Sequence, residues 1–193
     1  MPLFDHFDLL APLYDNVIGM KEPVKILELG GFPVEGVVLD AGGGTGRISQ
    51  ALAGQASHFV ILDLSIGMLK EAAGKKGLAA VNSHTEALPF SEGTFDTVLM
   101  VDALHHVCDQ PETALELLRV VKPGGRIVIE EPDIGKFVVK VVALIEKLAL
   151  MRSRFLSPDK IAKLFPGHVV KIERDGFNAW VVIERAPSPA KIE

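Results

Sequence analysis

The sequence predicts an α/β protein: a mainly parallel sheet with helices on both faces, finished by an antiparallel hairpin. Three observations carry this. Between Gly36 and Glu131, short β-rich apolar runs alternate with stretches of helical pattern. A glycine cluster, Gly42-Gly43-Gly44 and Gly46, directly follows the first of those runs. Near the C-terminus, two β-rich runs flank Asp175-Gly176, a strong hairpin turn signal. Strands spaced by helices of this length imply right-handed crossovers, which put helices on both sides of a parallel sheet.

In chain order, residues 4–20 and 23–29 read as two short helices. Gly36-Val37-Val38-Leu39-Asp40 is a continuous apolar run closed by a carboxylate, the pattern of a strand buried on both faces. A helix is expected from Gly44 or Thr45 to Leu52. His58 to Asp63 repeats the strand theme, and Ser65 is placed to cap a helix carrying Met68, Leu69, Ala72 and Ala73. Leu78 to Asn82 is a weaker strand, and Phe95 to Val101 a stronger one ending at Asp102. Asp109 is an N-cap, with Pro111 near the helix start and Glu112 three residues after the cap. That helix runs through Leu118 and stops before Lys122-Pro123-Gly124-Gly125, a turn by its chemistry. Arg126 to Glu130 is the fifth strand, followed by a long helix over about residues 135–154 and a short one opened by Ser157-Pro158. The hairpin spans Val169 to Arg174 and Phe177 to Arg185, and Ala186 to Glu193 is expected to fray.

With 193 residues, 48% hydrophobic and 23% charged, the chain suits one domain with a sizeable core and argues against disorder. A net charge of −5 gives no general attraction to nucleic acid, and no such partner is expected. Cys108 is the sole cysteine, which excludes an intrachain disulfide and a cysteine-rich zinc site. His105, His106 and Cys108 are the remaining metal-ligating types, but adjacent histidines do not easily aim both rings at one point, and no metal is expected. Met1 to Asp5 lacks the basic and apolar regions of a secretory signal, and no run of 18 uncharged apolar residues occurs, so a cytoplasmic chain is expected.

Asp40-Ala41-Gly42-Gly43-Gly44-Thr45-Gly46 is the most informative segment. Glycines straight after a buried strand let the backbone turn sharply and approach a ligand without a Cβ in the way. Asp63 ends the next strand 21 residues after Gly42, right for a carboxylate accepting hydrogen bonds from two ribose hydroxyls. A ligand containing a nucleoside, seated at the carboxyl ends of the strands, is therefore expected. Dinucleotide fingerprints read G-x-G-x-x-G. Here the glycines at 42, 44 and 46 give G-x-G-x-G, and Arg47 takes the place of the third fingerprint glycine. This spacing disfavours an NAD(P)-type oxidoreductase, the main alternative. Asp40, ahead of the glycines, suits a ligand bearing an ammonium better than one bearing two phosphates.

These residues resemble the class I S-adenosylmethionine-dependent methyltransferases, with Val37 to Gly46 as that family's first motif. Three further matches follow in order: Leu62-Asp63 with Ser65 and Met68-Leu69; Glu86-Ala87-Leu88-Pro89-Phe90 with Gly93-Thr94-Phe95-Asp96; and Leu117 to Arg126. Within the family the pattern is similar to the small-molecule branch that includes the ubiquinone and menaquinone biosynthesis methyltransferases. Glu130-Glu131-Pro132-Asp133 departs from the quinone enzymes' usual segment. The resemblance implies a Rossmann-like seven-stranded sheet of order 3-2-1-4-5-7-6 and S-adenosylmethionine as cofactor. It also implies methyl transfer to a small-molecule acceptor, with a lipophilic one left open. A non-catalytic cofactor-binding partner subunit remains a further alternative.

The same resemblance, with the chemistry above, implies residue roles. Asp40 and the backbone of Gly42, Gly43 and Gly44 would hold the amino-acid end of the cofactor. Asp63 would bind the ribose, Leu64 would pack on the adenine, and Thr85 and Glu86 would lie by the adenine edge. His84 stands where relatives often have an aspartate. Val101 and Asp102 would flank the methionine portion. His105, near the methyl, is a candidate contact or general base. Phe4 to Asp15 resembles the family's lid, with Tyr14 as its candidate contact. One domain over 1–193 would thus divide into a helical lid (1–30), a cofactor core (34–131), a helical acceptor-side segment (132–168) and the closing hairpin (169–185). In the 135–154 helix, Lys136, Lys140, Lys147 and Arg154 fall on one side and most of the remaining circumference is apolar. That surplus would cover the active site, pack under the N-terminal helices, contact a second subunit, or touch a membrane surface.

Overall fold

A computed structural model describes Ala11, residues 23–148 and residues 153–187. The first of the two expected N-terminal helices, and Tyr14 with it, lies outside the described residues apart from the buried Ala11. The second is α1 (Val24–Gly30).

The strands are β1 (Val37–Ala41), β2 (His58–Asp63), β3 (Leu78–Asn82), β4 (Phe95–Val101), β5 (Val121–Pro132), β6 (Val169–Asp175) and β7 (Asn178–Glu184). They form one sheet in the order β3-β2-β1-β4-β5-β7-β6, with β7 alone running against its neighbours. Apolar residues alternate between the two faces of the central strands. Leu39, Val98, Met100, Ile127 and Ile129 face one side, packing with Ala114 and Leu117 of α4 (Gln110–Val120) and Ile161 of α6 (Pro158–Ala162). Val38, Leu99, Val101 and Val128 face the other. There they meet Ile26 and Leu29 of α1, Ile48 of α2 (Arg47–Ala51), and Leu69 and Ala72 of α3 (Ile66–Ala73). Two apolar layers around one sheet explain why the central strands read as unbroken apolar runs.

Local chemistry sets the helix starts. Ser65 Oγ accepts the Met68 N–H at 3.1 Å, and Asp109 Oδ1 accepts the Glu112 N–H at 3.0 Å, as the cap patterns require. Three boundaries differ from expectation. α2 begins at Arg47 rather than at Gly44 or Thr45, because Gly46 still has φ +72° and prolongs the loop. The expected turn at 122–125 lies inside β5, not before it, as an irregular excursion with Gly124 at φ +81°: Phe95 pairs with Val121, and Thr97 already pairs with Arg126.

The helix expected to reach Arg154 is α5 (Phe137–Leu148), and the chain is non-helical again from Ser153. There the Arg154 N–H donates to the His105 carbonyl at 2.7 Å, and the Arg154 carbonyl accepts from Gln110 Nε2 at 2.7 Å. Backbone groups tied across to another loop are no longer available to a helical ladder.

Candidate functional site

Strand order reverses between β1 and β4, the switch point where α/β sheets open a crevice at the carboxyl ends of their strands. The loop after β1 turns here through Gly42 (φ +70°), Gly44 (φ +55°) and Gly46 (φ +72°). A Cβ on Gly42 would stand 2.6 Å from Ala103 Cβ, so only a glycine lets this loop approach the segment after β4 so closely. The N–H groups of Gly42 and Gly43 both donate to the Leu62 carbonyl, at 2.7 and 3.1 Å, which fixes the loop to the end of β2.

Asp63 completes that attachment. Its Oδ2 accepts the Gly44 N–H at 2.9 Å and its Oδ1 accepts the Ser65 N–H at 2.8 Å. A carboxylate accepts about four hydrogen bonds, so holding the loop is compatible with gripping a vicinal diol. Leu64 follows with an exposed apolar side chain, while its carbonyl is held by Asn82 Nδ2 at 2.8 Å. A carboxylate beside an exposed apolar side chain suits a sugar and the flat base attached to it.

Asp40, in β1 just before the loop, is only 1% exposed and accepts from Ser49 Oγ at 2.7 Å. Burial pushes its carboxyl up to about 6; the Ser49 hydrogen bond and the Arg47 charge act the other way. At neutral pH the loop therefore carries a buried carboxylate that a ligand cation would stabilise.

After β4, Val101 is buried and Asp102 takes a left-handed φ of +55°, uncommon outside glycine, while its N–H donates to the Glu130 carbonyl at 2.8 Å. The 3₁₀ turn Leu104–His106 follows. Glu131, at the end of β5, organises it: Oε1 accepts the N–H groups of Ala103 (3.0 Å) and Leu104 (2.7 Å), and Oε2 pairs with His105 Nδ1 at 2.6 Å. The His105 ring is 3% exposed and stacks on Phe155 at 4.3 Å, so this face of the imidazole is packed into protein. Burial raises the Glu131 carboxyl while its bond to His105 opposes the rise. Burial, aided by His105, lowers His106 to about 3, which favours the neutral imidazole at physiological pH.

The structure therefore brings Asp40, Gly42, Gly43, Gly44, Asp63, Leu64, Val101 and Asp102 to the carboxyl ends of the neighbouring strands β1, β2 and β4. Thr85 and Glu86 stand in the loop after β3. Thr85 Oγ1 pairs with Thr113 Oγ1 of α4 at 3.2 Å, and Glu86 Oε1 accepts the N–H groups of Cys108 and Asp109 at 2.8 and 3.1 Å. Their side chains tie the loop after β3 to the start of α4, and the exposed His84 stands 3.8 Å from Glu86 Oε2. No cluster of three metal-ligating side chains occurs among the described residues. Sequence reasoning did not assign Ser49, Glu131 or Phe155. Ser49 had a signal in its place on the helix following the loop, and Glu131 in the pair of glutamates ending β5.

The crevice fits S-adenosylmethionine on its own chemistry: a loop approachable only through glycine, a carboxylate for a ribose, and a buried carboxylate for a cationic amino-acid end. A family model described as a methyltransferase domain matches residues 39–129. The demethylmenaquinone methyltransferase of Renibacterium salmoninarum is 34% identical over 143 residues, covering 68% of this chain and 60% of that protein. The ubiquinone/menaquinone biosynthesis C-methyltransferase of Pseudomonas paraeruginosa is 35% identical over 135 residues, covering 65% of this chain and 53% of that protein. The chain thus spans about half to three-fifths of the length of these relatives. Among solved structures, a complex of the Haloferax volcanii Trm112 methyltransferase activator with a methyltransferase superposes with a TM-score of 0.82. It is 18% identical and covers 95% of this chain and 99% of that one, a likeness of fold. Residues 39–129 match a methyltransferase domain, and with its sheet order and glycine loop the chain resembles the class I S-adenosylmethionine-dependent methyltransferases, most of all the ubiquinone and menaquinone biosynthesis group.

Proposed function

We propose that this chain moves a methyl group from S-adenosylmethionine to a small-molecule acceptor. The observation that carries the reading is the glycine loop pinned by Asp63 beside the buried Asp40, which matches a sugar at one end and an ammonium at the other. S-adenosylmethionine supplies an already activated methyl on a sulfonium, so the protein's task is chiefly placement. Asp63 holds the ribose, Leu64 packs against the adenine, and Asp40 with the Gly42–Gly44 backbone holds the amino-acid end. Val101 and Asp102 then bound the reacting portion at the end of β4.

His105 acts as a positioning residue. Its bond to Glu131, which also holds the Ala103 and Leu104 N–H groups, fixes the turn against which Gly42 packs. Residues 132–168 form the acceptor side. In α5, which follows β5 at the crevice end of the sheet, Phe137, Val138, Val141 and Leu144 are exposed, an apolar surface that favours a lipophilic acceptor. The names of the relatives make demethylmenaquinone-type compounds the first acceptors to test. Among the described residues no helix is long and apolar enough to cross a membrane.

The test is formation of S-adenosylhomocysteine with such acceptors by the full chain and by Asp63→Ala. Turnover by the parent and its severe loss in the variant support the reading. Retained cofactor affinity in Asp63→Ala refutes the ribose role.

A further inference from the structure

Arg47 opens α2 directly after Gly46, and its side chain is only 7% exposed. Its Nη1 is buried without a hydrogen-bond partner, and among the described residues its guanidinium forms no ion pair. A guanidinium is always charged and offers five donors, so leaving one buried without an acceptor is costly. The nearby carboxylate does not satisfy it: Asp40 feels the Arg47 charge, but its hydrogen bond goes to Ser49 Oγ. Asp40, at the end of β1, and Arg47, at the start of α2, thus flank the glycine loop as two buried groups of opposite charge that do not hydrogen-bond to each other. A ligand end carrying both an ammonium and a carboxylate complements this arrangement. The ammonium meets Asp40 and the carboxylate accepts from Arg47.

We infer that Arg47 is the receptor for the α-carboxylate of the cofactor's amino-acid end, the complement of Asp40. This rests on the cofactor reading above. It also gives a use to the bulky side chain standing where dinucleotide-binding loops have their third glycine.

The test compares four ligands, S-adenosylmethionine among them, by calorimetry on the full-length chain and on Arg47→Gln and Arg47→Lys. S-adenosylhomocysteine has both amino-acid charges, 5′-methylthioadenosine has neither, and decarboxylated S-adenosylmethionine lacks only the carboxylate. For the parent, S-adenosylmethionine should bind about 10- to 100-fold tighter than its decarboxylated form, the range of a charge-assisted hydrogen bond. Arg47→Gln should weaken S-adenosylhomocysteine by a similar factor and leave 5′-methylthioadenosine within about twofold; Arg47→Lys should restore part of the loss. The ligand comparison on the parent needs no variant, so a folding defect in Arg47→Gln leaves a decisive result. Equal affinity of the parent for S-adenosylmethionine and its decarboxylated form overturns the inference. So does an equal loss of S-adenosylhomocysteine and 5′-methylthioadenosine in Arg47→Gln, which would mark a structural role. A parent that binds none of the ligands overturns the cofactor reading and this inference together.

Discussion

Replacing Asp40 by asparagine should make the ligand-free protein more stable at neutral pH. Burial pushes this carboxyl from its ordinary 3.8 to about 6, in spite of the Ser49 hydrogen bond and the Arg47 charge. A rise of about 2 pH units, at about 1.4 kcal/mol each, means that the ionised group costs the folded state about 3 kcal/mol. Below about pH 3.8 the folded and unfolded chains both carry the proton and the cost is absent; above about pH 6 both are ionised and it is complete. The contribution of this group to stability therefore falls as pH rises from about 4 to about 6. Asparagine keeps the shape and cannot ionise. Urea unfolding without ligand should show Asp40→Asn about 3 kcal/mol more stable than the parent near pH 7.5, with the two converging near pH 4. The cofactor should reverse the preference, because its ammonium favours the ionised carboxylate. The parent's affinity for S-adenosylhomocysteine should fall about tenfold per pH unit below about 6, and Asp40→Asn should lack that dependence. An asparagine variant no more stable than the parent at pH 7.5, or a gap that does not close in acid, refutes the reasoning.

Gly42→Ala places a Cβ 2.6 Å from Ala103 Cβ at φ +70°, and should lower stability by about 1–3 kcal/mol and sharply weaken S-adenosylhomocysteine binding, read by thermal melting and calorimetry. Glu131→Ala strands two N–H groups and a buried imidazole, and should cost about 3–5 kcal/mol in urea unfolding, with Glu131→Gln milder because one acceptor oxygen remains. Phe137 is 80% exposed on α5, outside the cofactor residues assigned above. Phe137→Glu should leave S-adenosylhomocysteine affinity unchanged and raise KM for a lipophilic acceptor, a split that steady-state kinetics resolves.

The parts of the fold legible in the sequence were those set by local chemistry. β1, β2 and β4 announce themselves as apolar runs ended by aspartate, Ser65 and Asp109 cap as their patterns require, and Asp175-Gly176 closes the hairpin where two β-rich runs meet. What escaped depends on contacts distant in sequence. That Arg154 lies outside a helix goes with its tie to His105, which no helical periodicity reveals. Glu130 and Glu131 look alike as neighbours, yet the pleat sends one to Asn178 and the other to the turn after β4. Asp40 and Asp63 were readable because a strand's end and a glycine loop fix where a carboxylate stands. Arg47 was legible as an anomaly of spacing; its burial with an unbonded Nη1, on which the proposal for it rests, was not. Thr85 and Glu86 were located by resemblance; their side-chain hydrogen bonds to Thr113 and to the start of α4 join segments distant in sequence, which no local pattern reveals.

The most direct test of the account is a calorimetric titration of the full chain with S-adenosylhomocysteine and with NAD, repeated on Asp63→Ala. The account predicts a single site for S-adenosylhomocysteine and none for NAD. It predicts affinity lowered by about two orders of magnitude or more when the ribose loses two charge-assisted hydrogen bonds. Binding of NAD in place of S-adenosylhomocysteine, or S-adenosylhomocysteine bound equally well without the Asp63 carboxylate, would contradict it.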